Sequence, residues 1–351
     1  MRGTNGRLKI TFLVITLALL LSGCGKENLS ALIPKGYSAD SSYYLIVLTT
    51  LVMTFVFLAV MTIYTIVLIR FRRKKGQEDY IPKQVEGSKT LETIWTVIPI
   101  ILVIIMAVPT VMAEFDLADT KDRDKHLNVK VTGYQYWWHF DYVDEGVQTS
   151  QDLYIPVGET VYLDLITNDV LHSFWVPALA GKIDVNPENV NTMKLDAEEE
   201  GVYYGKCAEL CGPSHALMDF KVIAVSPEAF DQWINDMKDF EPEEQALDAV
   251  AQEGKDLFEA NNCMSCHAIG SSESSIGPNL TGFADRTTFA GILEPTKENL
   301  IKWIQDPESI KPGNKMTGTY PELSDDEADK IAEYLMQLKA SDVTPETVSN
   351  E

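Results

Sequence analysis

The chain has 351 residues, 45% of them hydrophobic, and its 29 Lys+Arg against 52 Asp+Glu give a formal net charge of −23. That length allows two or three compact units, and the acidity excludes a nucleic-acid binder, whose phosphates require Lys and Arg in excess. Its five cysteines are an odd number, so a disulfide framework cannot use them all.

The first three elements in chain order concern a membrane. Basic Arg2, Arg7 and Lys9 precede the apolar run "ITFLVITLALLLSGC", the layout of a signal peptide over residues 1–23. The closing "LSGC" resembles the bacterial lipobox, which implies lipidation of Cys24 and a lipidated segment 24–42; the alternative is an uncleaved anchor with an incidental cysteine. A transmembrane hairpin is expected over 43–113, with spans at about 43–69 and 92–113. The first carries no charge and exceeds the ~20 residues that cross a bilayer. The second contains Pro99 and Pro109, tolerable in a membrane helix packed among neighbours. "RFRRKK" at 70–75 has five basic residues in six. The positive-inside rule therefore puts loop 70–90 in the cytoplasm, with Cys24 and everything after residue 113 on the outer face. The signal peptide demands the same topology.

Beyond the hairpin, "HLNVKVTGYQYWWHFDY", "DLYIPVGETVYLDLITND", "HSFWVPAL" and "FKVIAVS" are short, alternating and rich in aromatic and β-branched residues. They predict a compact antiparallel β-sandwich within a unit spanning 114–225. Residues 226–245 read as a helix and linker. Phe230, Trp233, Ile234 and Met237 sit there at helical packing spacing, and "EPEEQ" supplies the break. Residues 246–340 read as an all-α unit, its last helix opened by Ser324 with Glu327 three residues on. Residues 341–351 are a tail.

The chemistry concentrates at "GKCAELCGPSHALM". Cys207, Cys211, His215 and Met218, with His172 upstream in "NDVLHSFWVP", combine thiolates, imidazoles and a thioether, a donor set that selects copper over hard cations. One thiolate with two imidazoles makes a single-copper centre; a second thiolate lets the two sulfurs bridge a pair of coppers. Other readings stay open on residue chemistry alone. A structural zinc takes two Cys and two His but leaves Met218 unused. A disulfide requires neither histidine, and a thioredoxin-like dithiol expects C-x-x-C.

"YYGKCAELCGPSHALM" and "NDVLHSFWVPAL", with the strand "GYQYWWHFDY" and the hairpin segment "ETIWTVIPIIL", resemble the dinuclear copper A (CuA) region of cytochrome c oxidase subunit II over residues 43–225. The resemblance implies a cupredoxin-like fold. It also implies copper ligation by His172, Cys207, Cys211, His215, Met218 and the backbone carbonyl of Glu209. The Glu209 side chain would reach a Mg shared with subunit I. Glu92, taken alone a carboxylate favourable to the helix dipole at a helix start, matches the acidic inlet of a proton channel in subunit I. The aromatic that receives electrons in the family is commonly the first Trp of a W-Y-W run. Here Tyr136 stands there, followed by Trp137 and Trp138, so all three are candidates for electron input. "GKIDVNPENVN" lacks the family's Gly-Arg, and nothing is carried over to Asn189.

"CMSCH" at 263–267 is C-x-x-C-H, the attachment pattern of c-type haem. Cys263 and Cys266 would hold the porphyrin and His267 the iron. No His follows His267, and Met316 and Met336 are the only later methionines. Met336 lies in a helical apolar stripe, so Met316, in the loop "KPGNKM", is the expected second ligand; Met/His ligation raises the haem potential. Residues 251–340 resemble a small class I cytochrome c, which implies that Gly254 and Phe258 pack on Tyr334 and Leu335 and that the Pro278 backbone supports the His267 ring. Residues 241–351 hold 8 Lys+Arg against 22 Asp+Glu, a formal −14. A covalent tether would replace diffusional encounter with a high effective concentration and make attraction between the units unnecessary.

Together these resemblances imply the electron-transfer subunit of a proton-pumping cytochrome c oxidase. It would relay electrons from an upstream donor through haem c to CuA and on to subunit I, where oxygen is reduced. The main alternative is a copper-delivery or metal-binding haem lipoprotein without turnover, in which the second span and CMSCH have no purpose. A quinol oxidase subunit II has lost the copper ligands present here, and a nitrous-oxide-reductase-like CuA module lacks the hairpin and Glu92.

Overall fold

The computed structural model describes residues 11–16, 25–72, 76, 81, 83–84, 86–270 and 276–348. Cys24, residues 1–10 and 17–23 of the expected signal peptide and residues 73–75 of the basic run lie outside the described residues. Two long helices come first, α1 (Tyr37–Arg70) and α2 (Lys89–Leu117). Each has an apolar window of mean hydropathy 2.5, none of it buried within the chain, so only lipid or neighbouring subunits can solvate those side chains. Ser88 caps α2 by accepting the Leu91 N–H. Pro99 and Pro109 lie inside that helix. Near residues 37 and 116 the hairpin is bolted to the next unit. The Tyr37 hydroxyl donates to Asp116 Oδ2 and the Tyr37 N–H to Asp196 Oδ2, both at 2.7 Å. A Cβ on Gly36 would sit 2.4 Å from the Asp196 carbonyl oxygen, so glycine is what permits this approach.

Ten strands follow: β1 (Leu127–Tyr134), β2 (Trp137–Tyr142), β3 (Val147–Ser150), β4 (Asp152–Pro156), β5 (Val161–Thr167), β6 (His172–Trp175), β7 (Lys182–Val185), β8 (Asn191–Leu195), β9 (Gly201–Cys207) and β10 (Asp219–Val225). They form two five-stranded sheets, ordered β3-β2-β1-β5-β8 and β4-β10-β9-β6-β7. The expected sandwich is present, but it is not wholly antiparallel: β1 pairs with β5, and β4 with β10, in parallel. Alternation of side chains encodes which face is buried, not strand direction. The chain changes sheets between β3 and β4, at Gln151 with φ 71°, and returns as β5 beside β1, which creates both parallel neighbours. Fully buried Trp138, Phe174 and Phe220 fill the space between the sheets, with ring centroids 4.5 to 5.4 Å apart. Helix α3 (Pro227–Lys238) closes one end. Its Trp233 stacks on Tyr154 with centroids 4.3 Å apart, as the spacing of its apolar residues predicts.

The last unit is helical, built on α4 (Ala249–Ala260), α5 (Lys297–Gln305), α6 (Pro307–Ile310) and α7 (Asp325–Met336). Helices α4 and α7 cross at Gly254, where a Cβ would lie 1.9 Å from the Lys330 carbonyl oxygen; Phe258 meets Tyr334 edge-on at 5.7 Å. Ser324 and Glu327 form the expected capping box. The tail then leaves this unit and returns to the sandwich. Ser341 Oγ donates to Asp236 Oδ2 on α3 at 2.6 Å, and Val343 and Val348, the latter at the end of α8 (Pro345–Val348), join the sandwich core.

A tether makes attraction between the units unnecessary, yet the structure shows a seated interface. Asn279 N–H donates to buried Ser150 Oγ at 3.0 Å, and Lys221 Nζ to Thr287 at 2.6 Å. Gly291, at φ +81°, lies so close to Asp219 and Gln151 that a Cβ would fall within 3.0 Å of both.

Candidate metal centre and haem cavity

Strand β6 begins with His172 and β9 ends with Cys207; the loop to β10 carries Glu209, Cys211, His215 and Met218. Cys207 Sγ lies 3.9 Å from His172 Nδ1, 3.9 Å from Cys211 Sγ and 3.3 Å from the Glu209 carbonyl oxygen. Cys211 Sγ lies 3.7 Å from His215 Nδ1 and 3.9 Å from Met218 Sδ. All six predicted donors thus converge, each sulfur with one imidazole and one weaker partner. A sulfur separation of 3.9 Å rules out a disulfide in this state, whose bond is about 2.05 Å. Gly212, at φ +133°, lets the ligand loop pass Tyr136, whose hydroxyl would stand 2.5 Å from a Cβ there.

The electrostatics suit ligation by thiolate. The contact with Cys211, with a further contribution from His172, holds the Cys207 thiol well below its ordinary range; the same contact and burial push Cys211 up. The pair therefore loses its first proton readily and holds the second until a cation displaces it. Burial lowers His172, but Asp169 and Cys207 outweigh it and the net direction is upward. Asp169 Oδ1 lies 2.8 Å from His172 Nε2, which leaves Nδ1 facing the sulfur. Burial opposes ionisation of Asp169, yet hydrogen bonds from His172, Gln135 and Val170 N–H groups and Lys315 hold it well below the usual carboxylate range. Two sulfurs, two imidazoles, a thioether and a carbonyl fit soft copper; a hard cation has no carboxylate among the converging atoms.

The second site is an apolar cavity. Cys263, Cys266, His267 and Met316 line it together with Phe258, Trp303 and Leu335. Burial lowers the His267 ring, keeping it neutral, and its Nδ1 lies 2.8 Å from the Pro278 carbonyl oxygen, which assigns Nε2 to a metal. Gly277 clears the ring, since a Cβ would meet His267 Cε1 at 3.0 Å. Met336 packs on the helical core and is not among the lining residues. The covalent motif, a neutral histidine and a methionine around one apolar hole fit a c-type haem.

One wall of that cavity belongs to the sandwich, through Gln135, Tyr136, Trp137 and Gln151. Of the electron-input candidates, Tyr136 and Trp137 line the cavity, the latter stacked on Tyr134 at 4.6 Å. Trp138 is core, 5.9 Å edge-on from the His172 ring. Glu209 is half-buried, with Oε1 accepting the Leu210 N–H at 3.2 Å, and Glu92 is exposed in the first turn of α2. Sequence reasoning missed Asp169, although its place three residues before His172 was a usable signal. It also missed Lys311, Lys315 and Ser214, which only the seated interface reveals.

A membrane hairpin carrying a sandwich with a sulfur-rich donor cluster, joined to a helical C-x-x-C-H unit, defines a membrane-bound electron-transfer protein. Family models match three stretches: the transmembrane domain of cytochrome c oxidase subunit II over residues 41–112, its periplasmic domain over 145–225, and cytochrome c over 251–339. A cytochrome c oxidase subunit 2 of Alkalihalophilus pseudofirmus is 49% identical, covering 92% of this chain and 95% of that one; a Bacillus sp. PS3 protein of the same name is 50% identical with the same coverage. The crystal structure of the periplasmic domain of subunit II of cytochrome oxidase from Bradyrhizobium japonicum is 30% identical, covering 31% of this chain and 91% of that one, with a TM-score of 0.30. The chain belongs to the cytochrome c oxidase subunit II family, with a cytochrome c unit at its C-terminal side, and is a membrane-bound component of an oxidase complex.

Proposed function

We propose that this chain is the electron-transfer subunit of a proton-pumping cytochrome c oxidase, taking electrons from an upstream donor onto haem c, then to dinuclear CuA, then to subunit I. The observation that carries it is the convergence of six copper donors in a chain whose C-x-x-C-H cavity has a wall made by the same sandwich. His172, Cys207, the Glu209 carbonyl, Cys211, His215 and Met218 would hold the copper pair. Cys263 and Cys266 would hold the porphyrin, with His267 and Met316 on its iron. Bound there, the two groups supply reversible one-electron chemistry.

The remaining work belongs to the chain. Asp169 and the Pro278 carbonyl fix the rings of His172 and His267 by their second nitrogens, so neither ligand must turn as charge comes and goes. Trp138, Phe174 and Phe220 keep water from the sandwich side of the cluster. Tyr136 and Trp137, both lining the cavity, with the Tyr136 hydroxyl against Gly212 of the ligand loop, would serve as the electron-input aromatics. Outside the relay, Glu92 would gather protons for subunit I and the Glu209 carboxylate would hold a shared Mg. The hairpin and lipidated Cys24 would anchor the chain with sandwich and cytochrome on the outer face. The units follow the bounds given above, 114–225 and 246–340.

The test is electron paramagnetic resonance of the full chain in detergent, with copper and haem counted. Two coppers and one haem, with hyperfine splitting shared by two copper nuclei, are expected. A single-copper signal or bound zinc would overturn the dinuclear copper reading and the relay drawn through it.

A further inference from the structure

Residues 311–316 present Met316 to the haem cavity, and the same loop is bonded to the copper side at three points. Lys311 Nζ donates to the Tyr136 carbonyl at 2.7 Å. Ser214, adjacent to His215, donates its Oγ–H to the Pro312 carbonyl at 2.8 Å. Lys315 Nζ lies 3.0 Å from Asp169 Oδ2, while Oδ1 of that carboxylate faces His172 Nε2 at 2.8 Å. One side chain therefore separates the residue next to a haem ligand from a copper ligand. Asp169 is also gripped by the Gln135 N–H at 2.8 Å and the Val170 N–H at 2.7 Å, so its two oxygens have fixed partners. Its side chain is only 12% exposed, whereas Lys315 is 56% exposed, so the lysine is replaceable without disturbing the core.

We propose that Lys315 is a positioning residue of the copper centre, and that seating the cytochrome unit raises the copper potential through the Lys315–Asp169–His172 contact. The inference rests on the copper and haem assignments above. A carboxylate on the far nitrogen of a metal-bound imidazole makes that ligand more basic and favours the more positive, oxidised metal. A cation on the carboxylate's other oxygen draws that electron density away and favours the reduced metal. The seated loop thus makes the copper a better acceptor for the electron held by the haem beside it.

The test measures both midpoint potentials in the full-length, copper- and haem-loaded protein in detergent, copper by paramagnetic resonance and haem optically. K315M should move the equilibrium of the shared electron toward the haem by about tenfold, the scale of one charge-assisted contact, through a fall at the copper. K315R should restore most of it. K315M/T317K returns a charge to the loop without the contact: a copper potential that stays low supports the inference, and one that recovers overturns it. A K315M shift confined to the haem, or one undiminished in a D169N background, also overturns it. A wild-type protein without the dinuclear signal would instead be the failure of the underlying copper reading.

Discussion

The two redox sites are built in opposite ways. The donor cluster is clamped by strands β6, β9 and β10, on a core with Trp138 and Phe174 fully buried, and its six donor atoms converge on one point of that frame. The cavity of the cytochrome unit is apolar and lies among short helices and loops, so a haem bound there would supply much of that unit's core. A preassembled cluster asks little reorganisation of its ligands, whereas an unfilled apolar cavity destabilises its walls in proportion to its size. The sandwich should therefore hold its shape empty, and the cytochrome unit should not.

Blocking haem attachment is the sharpest way to break that comparison. C263A/C266A should lose covalent haem entirely and expose residues 246–340 to protease, while the copper resonance persists; C211A should abolish the dinuclear signal yet leave the protease pattern and melting of the sandwich nearly unchanged. A sandwich that unfolds in C211A would reverse the contrast.

A substitution at the α4–α7 crossing separates cavity from packing. G254A forces a Cβ to within 1.9 Å of the Lys330 carbonyl oxygen; relieving it should cost about 2–3 kcal/mol, read as earlier loss of haem absorbance in urea with the copper signal unmoved. Smaller is the tail: V348A removes two buried methyl groups from the seam and should cost about 1–2 kcal/mol, measured as faster proteolytic release of the cytochrome unit.

The smallest expected effect is a pH dependence of seating. Burial in the interface brings the Lys311 amine down to about 7 from 10.5. Released, the amine keeps its ordinary value. Between those two values the released state binds more protons, so seating strengthens as pH rises through this window; below the lower value both states are protonated and the dependence disappears. Limited proteolysis at about pH 6 and about pH 9 should show less release at the higher pH. Equal release would mean that water reaches the amine.

Much of this was legible from residues. Spans, helices and candidate donors announce themselves through hydropathy, spacing and side-chain chemistry, as His172, Cys207 and the C-x-x-C-H run show. Strand direction did not, because alternating burial looks alike in parallel and antiparallel pairs; hence β1–β5 and β4–β10. The interface was invisible for another reason. Lys311 and Lys315 are two of eight basic residues in a strongly acidic unit, and net charge argued against attraction that two placed lysines supply.

The returning tail has a consequence in time. Residues 341–348 follow CMSCH in the chain, and they join the contacts of Lys311, Ser214 and Lys315 in pinning the cytochrome unit to the sandwich side. While that unit is unseated, its cavity lacks the wall that Tyr136 and Trp137 provide. A porphyrin to be joined to Cys263 and Cys266 would enter by that open side. The expected order of maturation is therefore haem first and clasp second, with residues 341–348 acting as one part of the latch that ends the window for haem loading.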